Sequence, residues 1–263
     1  MIEYTKHFSE HDMNKITSYL ENERRVFVST VGKIEYAAWW ILRVCMIGAM
    51  VYWSKHEPGD FAITIMGFNL LATFAVPLAR IIFFKKLFLG KIPFRVQSYI
   101  NIFVFLGSFI GHGFKMNNVE NYDKILHIIS GAVTVFIGYE MLGSLKNAER
   151  TPHSVFLFGS AGFSFTVMVV WELFEFFADY CIKDSANQKY GWKPPEDMLF
   201  FKIFGYGANA PEQYAVLDTD LDMLCAVIGC AFGSAVLAAA VKLRSLSDSK
   251  KKSASDIKAA ARR

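Results

Sequence analysis

Three pairs of side chains have the types and spacing to do chemistry together: Glu172 with Glu175, Asp123 with His127, and Asp218 with Asp222. Residues three or four apart share one face of a helix, so each pair would present both of its groups in one direction. Asp179 extends the first pair into a stripe. Glu172 and Glu175 stand in Val169-Val170-Trp171-Glu172-Leu173-Phe174-Glu175-Phe176-Phe177, a run otherwise apolar enough to sit in hydrocarbon. An ionisable group there is costly, and it ordinarily faces a partner, a cavity or a substrate path.

Carboxylates brought that close in a low dielectric cannot all be charged unless cations, shared protons or hydrogen-bond donors balance them. A divalent metal held by His127, Glu172, Glu175, Asp218 and Asp222 is one solution, with nitrogen and oxygen donors suited to zinc, manganese or iron and an oxygen-rich subset suited to magnesium or calcium. A shared proton is the other, and it makes His127, Glu172, Glu175 and Asp123 the candidates for general acid and base. The spacing does not choose between them. His112, Lys115 and Asp179 are the candidates for holding a substrate's polar group. Each residue also has a plainer reading. Asp123 could cap one helix and Asp218 or Thr219 another. His112 could be a solvated loop residue, and Glu172 and Glu175 could be tied to Lys115 or Lys124.

The elements that must position these groups are membrane helices. The chain has 263 residues, of which 53% are hydrophobic and 16% aromatic, which is too apolar for an ordinary soluble domain. A span needs about 20 apolar residues. Six windows qualify, at 36–53, 60–84, 95–114, 124–144, 154–179 and 221–241. The expected fold is all-α, a polytopic bundle of six transmembrane helices. It has an N-terminal amphipathic segment over 1–35, a membrane domain over 36–241 with a long outer loop at 182–217, and a basic tail over 242–263. No cleavable secretory signal is read in the first 35 residues. The four cysteines lack a paired metal-ligand spacing and are expected to be packing residues.

Lysines and arginines concentrate in the segments that six spans place on the same side as the termini, among them Arg24, Arg25, Lys85, Lys86, Lys91, Arg95, Lys146, Arg150 and the tail from Lys242 onward. The positive-inside rule then puts both termini in the cytoplasm. Asp123, His127, Glu172, Glu175, Asp179, Asp218 and Asp222 consequently fall at one depth near the outer face. The tail, with Lys250-Lys251-Lys252, is expected to meet anionic lipid headgroups rather than nucleic acid. Within the outer loop, Met198–Phe204 is apolar and aromatic enough to lie at the interface or dip back toward the bundle. Arg43 and Arg80 are expected to pair with Glu140 on the inner side. Gly229, Ala231, Gly233, Ser234 and Ala235 would let the last helix approach a neighbour closely.

The order Asp123-Lys124-Ile125-Leu126-His127, then Trp171-Glu172-Leu173-Phe174-Glu175, then Asp218-Thr219-Asp220-Leu221-Asp222-Met223 resembles the bacterial YjdF-type membrane proteins and, more distantly, the VanZ-like proteins. The similarity covers about residues 95 to 241. It implies a small helical protein of the bacterial plasma membrane, with an Asp-Lys-x-x-His motif opening one span, an acidic motif late in the next and an aspartate motif opening the last. The VanZ likeness points by analogy to the cell envelope. The leading expectation is an outer-leaflet carboxylate and histidine site that binds or acts on a lipid or lipid-linked envelope substrate. A proton- or cation-coupled transporter or channel is the alternative, and a structural membrane subunit a further one.

Overall fold

The computed structural model describes residues 10–59, 61–83, 87–119, 121–145, 148–181 and 214–260. All regular elements among them are helical: α1 (Glu10–Thr30), α2 (Lys33–His56), α3 (Phe61–Ala72), α4 (Ala75–Phe83), α5 (Phe94–Phe103), α6 (Tyr122–Gly143), α7 (His153–Cys181) and α8 (Tyr214–Ala260). Among the described residues, five helical segments are long and apolar enough to cross a membrane, and α3 with α4 makes a sixth if the bent pair is one span. The protein is a polytopic membrane protein. Its chain divides into two compact units, Met1–Lys115 and Met116–Arg263. Residues 182–213, the greater part of the expected outer loop and all of its Met198–Phe204 segment, lie outside the described residues.

In the first unit the span expected at 60–84 bends by 51° between α3 and α4. Pro77 has no N–H with which to bond the Thr73 carbonyl one turn earlier, and its ring crowds that position. Arg43 takes over that carbonyl, with Nη2 donating to Thr73 O at 2.5 Å and Nε to Thr73 Oγ1 at 3.0 Å. Gln97 serves both sides of the break, donating to Ala72 O and accepting from the Val76 N–H. Arg80 donates to Glu23 of α1 at 2.6 Å and to Ile92 O at 2.7 Å. Arg43 and Arg80 thus each make hydrogen bonds inside the first unit.

The amphipathic N-terminal segment forms α1 and packs inward within its unit. Glu23 is buried, Tyr19 donates to the Arg80 carbonyl, and the Phe27 ring meets Trp39 and Phe94 edge-on. Beyond α5 the backbone widens into a π-helix over Val104–Gly113, so the span expected at 95–114 consists of two helix types.

In the second unit α6, α7 and α8 pack against one another, with α6 in the most extensive contact with both neighbours. Thr134 meets Ser164, Gly138 meets Ser160 and His127 faces Glu172, so α6 and α7 run antiparallel. Lys124 meets Asp218 and Asp222, Gly131 meets Ala226 and Gly233 meets Ala132, so α6 and α8 run parallel. The α6–α8 contact is backbone against backbone. A Cβ on Gly131 would collide with the Ala226 carbonyl, one on Gly229 with the Ile128 carbonyl, and one on Gly233 would stand 2.7 Å from the Ala132 oxygen. Gly229 and Gly233 form a small-xxx-small stripe, which permits such an approach where lipid supplies no hydrophobic drive between helices. Below it, buried Val135, Cys230 and Leu237 form an apolar core with Leu157 and Ala161 of α7.

Glycine is therefore obligatory at Gly131. Gly131→Ala is expected to destabilise the second unit by about 1–3 kcal/mol or more, because a backbone carbonyl cannot rotate out of the way. Gly162→Ala, where nothing lies within 4 Å of the added methyl, is expected to be neutral or slightly stabilising. Thermal unfolding of the two detergent-solubilised variants checks the contrast.

Candidate functional site

The site is built at the end of the second unit where α6 begins. Asn121 precedes α6 with φ of 63°, a left-handed conformation that Asn adopts more readily than most residues. Tyr122 then opens the helix, and Asp123, Lys124 and His127 fall in its first turns. Lys124 and His127, three apart, are both buried, while Asp123 beside them is only partly so. A cation in the first turn opposes the helix dipole. Lys124 is 2% exposed, so it depends on acids from outside its own helix.

Those acids come from α8. Lys124 Nζ donates to Asp218 Oδ1 and to Asp222 Oδ1, both at 2.6 Å. Asp123 Oδ2 stands 3.4 Å from the same nitrogen. Asp218 and Asp222, four apart, lie on the buried face of α8. The helix starts at Tyr214, so Asp218 and Thr219 sit a full turn inside it. The expectation that either caps this helix is thereby corrected, as is the expected start of the span at 221. Asp123 is not the cap of α6 either, since Asn121 holds that position.

His127 links the three helices. Its Nε2 stands 3.5 Å from Asp123 Oδ1 and 3.6 Å from Asp222 Oδ1, and its Nδ1 stands 3.9 Å from Glu172 Oε1 on α7. Glu172 is buried. Glu175 is half-buried and accepts a hydrogen bond from Trp171 Nε1, one turn earlier on α7, at 2.8 Å. Asp179, also half-buried, follows one turn later.

The structure thus brings together Asp123, His127, Glu172, Asp218 and Asp222. His112 and Lys115 belong to the first unit, where Lys115 is 2.5 Å from Glu57 and lies over the Trp53 ring at 4.2 Å. Of the two lysines read as plainer partners for Glu172 and Glu175, Lys115 pairs with Glu57, while Lys124 hydrogen-bonds Asp218 and Asp222. The residue that sequence reasoning undervalued is Lys124. Its signal was present in the motif: Lys and His three apart on one face, with an excess of acids on the neighbouring spans.

Four carboxylates, those of Asp123, Glu172, Asp218 and Asp222, face one lysine and one histidine, so the cluster is acidic and suited to a cation, a mobile proton or a donor-rich ligand. Directly beneath it the polarity falls to hydroxyls. Ser130 donates to the His127 carbonyl, Thr134 and Ser164 share a hydrogen bond of 2.8 Å, and Ser164 donates to the Gly131 carbonyl. Beyond them is the apolar core already described.

No curated protein and no solved structure matches the chain. A family model described as "Predicted membrane protein (DUF2238)" matches residues 38–243. That range contains all of the clustered residues.

Lys124 is the structural keystone of the cluster. Lys124→Met strands two buried aspartates and is expected to cost about 3–5 kcal/mol of stability. Adding Asp218→Asn and Asp222→Asn to Lys124→Met is expected to recover much of that loss, since the charges that needed the lysine are gone. Unfolding temperatures of the single, double and triple variants give the coupling directly.

Proposed function

The chain belongs to the DUF2238 family of predicted membrane proteins, the YjdF-type family, and from that premise we propose that its acid-rich end is a one-sided site for a lipid or lipid-linked substrate of the cell envelope. In this reading the cluster lies at the outer leaflet. Arg150, which follows α6, and the basic C-terminal part of α8 from Lys242 support a cytoplasmic position for the opposite end of the unit.

The observation that carries the reading is the contrast between the two ends of the second unit. At one end buried Lys124, His127, Glu172, Asp218 and Asp222 converge. Beneath them α6 and α8 are in backbone contact at Gly131 and Gly229, and Val135, Cys230 and Leu237 fill the interior. A carrier needs an exit as well as an entrance, and that packing offers none between these two helices. Access from the side fits a lipid: around Glu172 and Glu175, α7 exposes Trp171, Leu173, Phe174, Phe176 and Phe177. A headgroup could enter beside them while its chains stay in the bilayer. The VanZ-like ordering of the motifs gives the envelope as the source of substrate, by analogy.

His127 is then the acid and base, with a carboxylate facing each of its ring nitrogens. Glu172 near Nδ1 holds the tautomer and stabilises the imidazolium, and Nε2 faces Asp123, which is open enough to meet substrate. Lys124 fixes Asp222 beside the ring and offers a positive charge to a developing anion.

Protein extracted in mild detergent is expected to retain a defined lipid or lipid-linked molecule, detected by native mass spectrometry. His127→Gln and Glu172→Gln are expected to lose it while remaining folded. Equal retention by all three proteins, or ion flux in reconstituted vesicles that disappears in Glu172→Gln, overturns the reading. Sidedness has its own check at Cys181, which is exposed at the end of α7. A membrane-impermeant thiol reagent is expected to label it in right-side-out vesicles, and to reach a cysteine placed at Arg150 only after permeabilisation. The reverse pattern would put the site in the cytoplasm.

A further inference from the structure

We propose that Asp123, His127 and Asp222 bind a divalent transition-metal ion, with Glu172 orienting the histidine. Use of the metal on a substrate rests on the lipid-site reading above, with His127 Nε2 then a ligand in place of the acid and base, whereas binding of the metal does not rest on it.

One donor atom from each of the three residues lies within 4.8 Å of the other two. His127 Nε2 is 3.5 Å from Asp123 Oδ1 and 3.6 Å from Asp222 Oδ1. Those separations are longer than an ordinary N–H···O bond of about 2.7–3.2 Å. They are close to the spacing of about 3.4 Å between ligand atoms held tetrahedrally by bonds of about 2.0–2.1 Å. Small side-chain adjustments would thus bring one nitrogen and two carboxylate oxygens onto a common centre.

The surroundings fit the same ion. Glu172 Oε1 faces the other ring nitrogen at 3.9 Å, where a carboxylate fixes the tautomer of a ligating histidine and strengthens it as a donor. The excess of carboxylates over Lys124 and His127 is the kind of charge that a divalent cation offsets. Asp123 has a side chain 38% exposed, which gives the ion an entry and leaves coordination positions open to water or substrate, as in catalytic rather than closed structural sites. One imidazole with two carboxylates favours zinc, manganese or ferrous iron over calcium or magnesium. When bound, such an ion would polarise a carbonyl or phosphoryl oxygen or lower the pKa of a bound water. Asp218 and Glu175 are not in the set, whose donor atoms are those of Asp123, His127 and Asp222 that lie within 4.8 Å of one another; Asp222 would hold the ion while keeping its bond to Lys124.

Full-length protein stripped with a chelator is titrated with Co2+ and with Zn2+, and binding is read by the visible bands of bound cobalt and by elemental analysis. One ion per chain is expected. Affinity should fall more than about 100-fold in Asp123→Asn and His127→Gln, fall about 10–100-fold in Glu172→Gln and stay unchanged in Glu175→Gln. Asp222→Asn removes a Lys124 partner and can unfold the unit, so Asp123→Asn, at the exposed edge, carries the test, with its melting temperature measured alongside. Absence of ordered cobalt in the wild type, or equal affinity in a folded Asp123→Asn, overturns the metal site. Lipid lost in His127→Gln from a protein that binds no metal would sink the metal and leave the lipid reading. Metal bound without a retained lipid would do the opposite.

Discussion

A buried ammonium at the start of a helix imposes the main constraint on the second unit. Lys124 sits where the α6 dipole already presents positive charge, and it is removed from water. It can stay charged only if anions reach it from another element. Asp218 and Asp222 do so from successive turns of α8, each at 2.6 Å. Because one nitrogen bonds two residues four apart, the pairing fixes the axial register of α8 against α6 as well as their proximity. The geometry of His127 follows from it, since Asp222 serves both the lysine and the histidine face.

That arrangement works only if the helices approach closely, and the glycines supply the approach. Lipid offers no hydrophobic reward for pressing helices together, so close packing and polar bonds must do it. Gly131, Gly229 and Gly233 let the α6 and α8 backbones touch, and that contact begins about one turn from the charged layer, at Ile128 and Ala226. On the other side Gly138 and the Thr134–Ser164 bond dock α7, which carries Glu172 to His127. The same packing that assembles the site closes it from below. Assembly of the cluster and closure of the α6–α8 seam beneath it are therefore two consequences of one set of small residues.

The sequence made the membrane class and the grouping of acids legible, because both depend on local pattern: apolar windows of span length, and pairs three or four apart. It also pointed to the small-residue face of the last span. Its helix ends were read less well. The run before Asp218 is less apolar than the span proper, so the helix was expected to begin there rather than at Tyr214, and Asp218 looked like a cap. The bend after Ala72 was foreseeable from Pro77, but the side chains that heal it, Arg43 and Gln97, come from other helices and leave no local mark. Lys124 was undervalued for the same reason. A lysine beside an aspartate at a span boundary looks solvated until the partner helix is known to bring two more acids to it.

The measurement that tests the central claim most directly is an experimental density map of the protein in a lipid environment, resolved well enough to place side chains at the start of α6. The account predicts the Lys124 ammonium between Asp218 and Asp222, with His127 between Glu172 and the Asp123–Asp222 pair. Lys124 turned out to the headgroup region, or Asp218 and Asp222 facing away from α6, would contradict it.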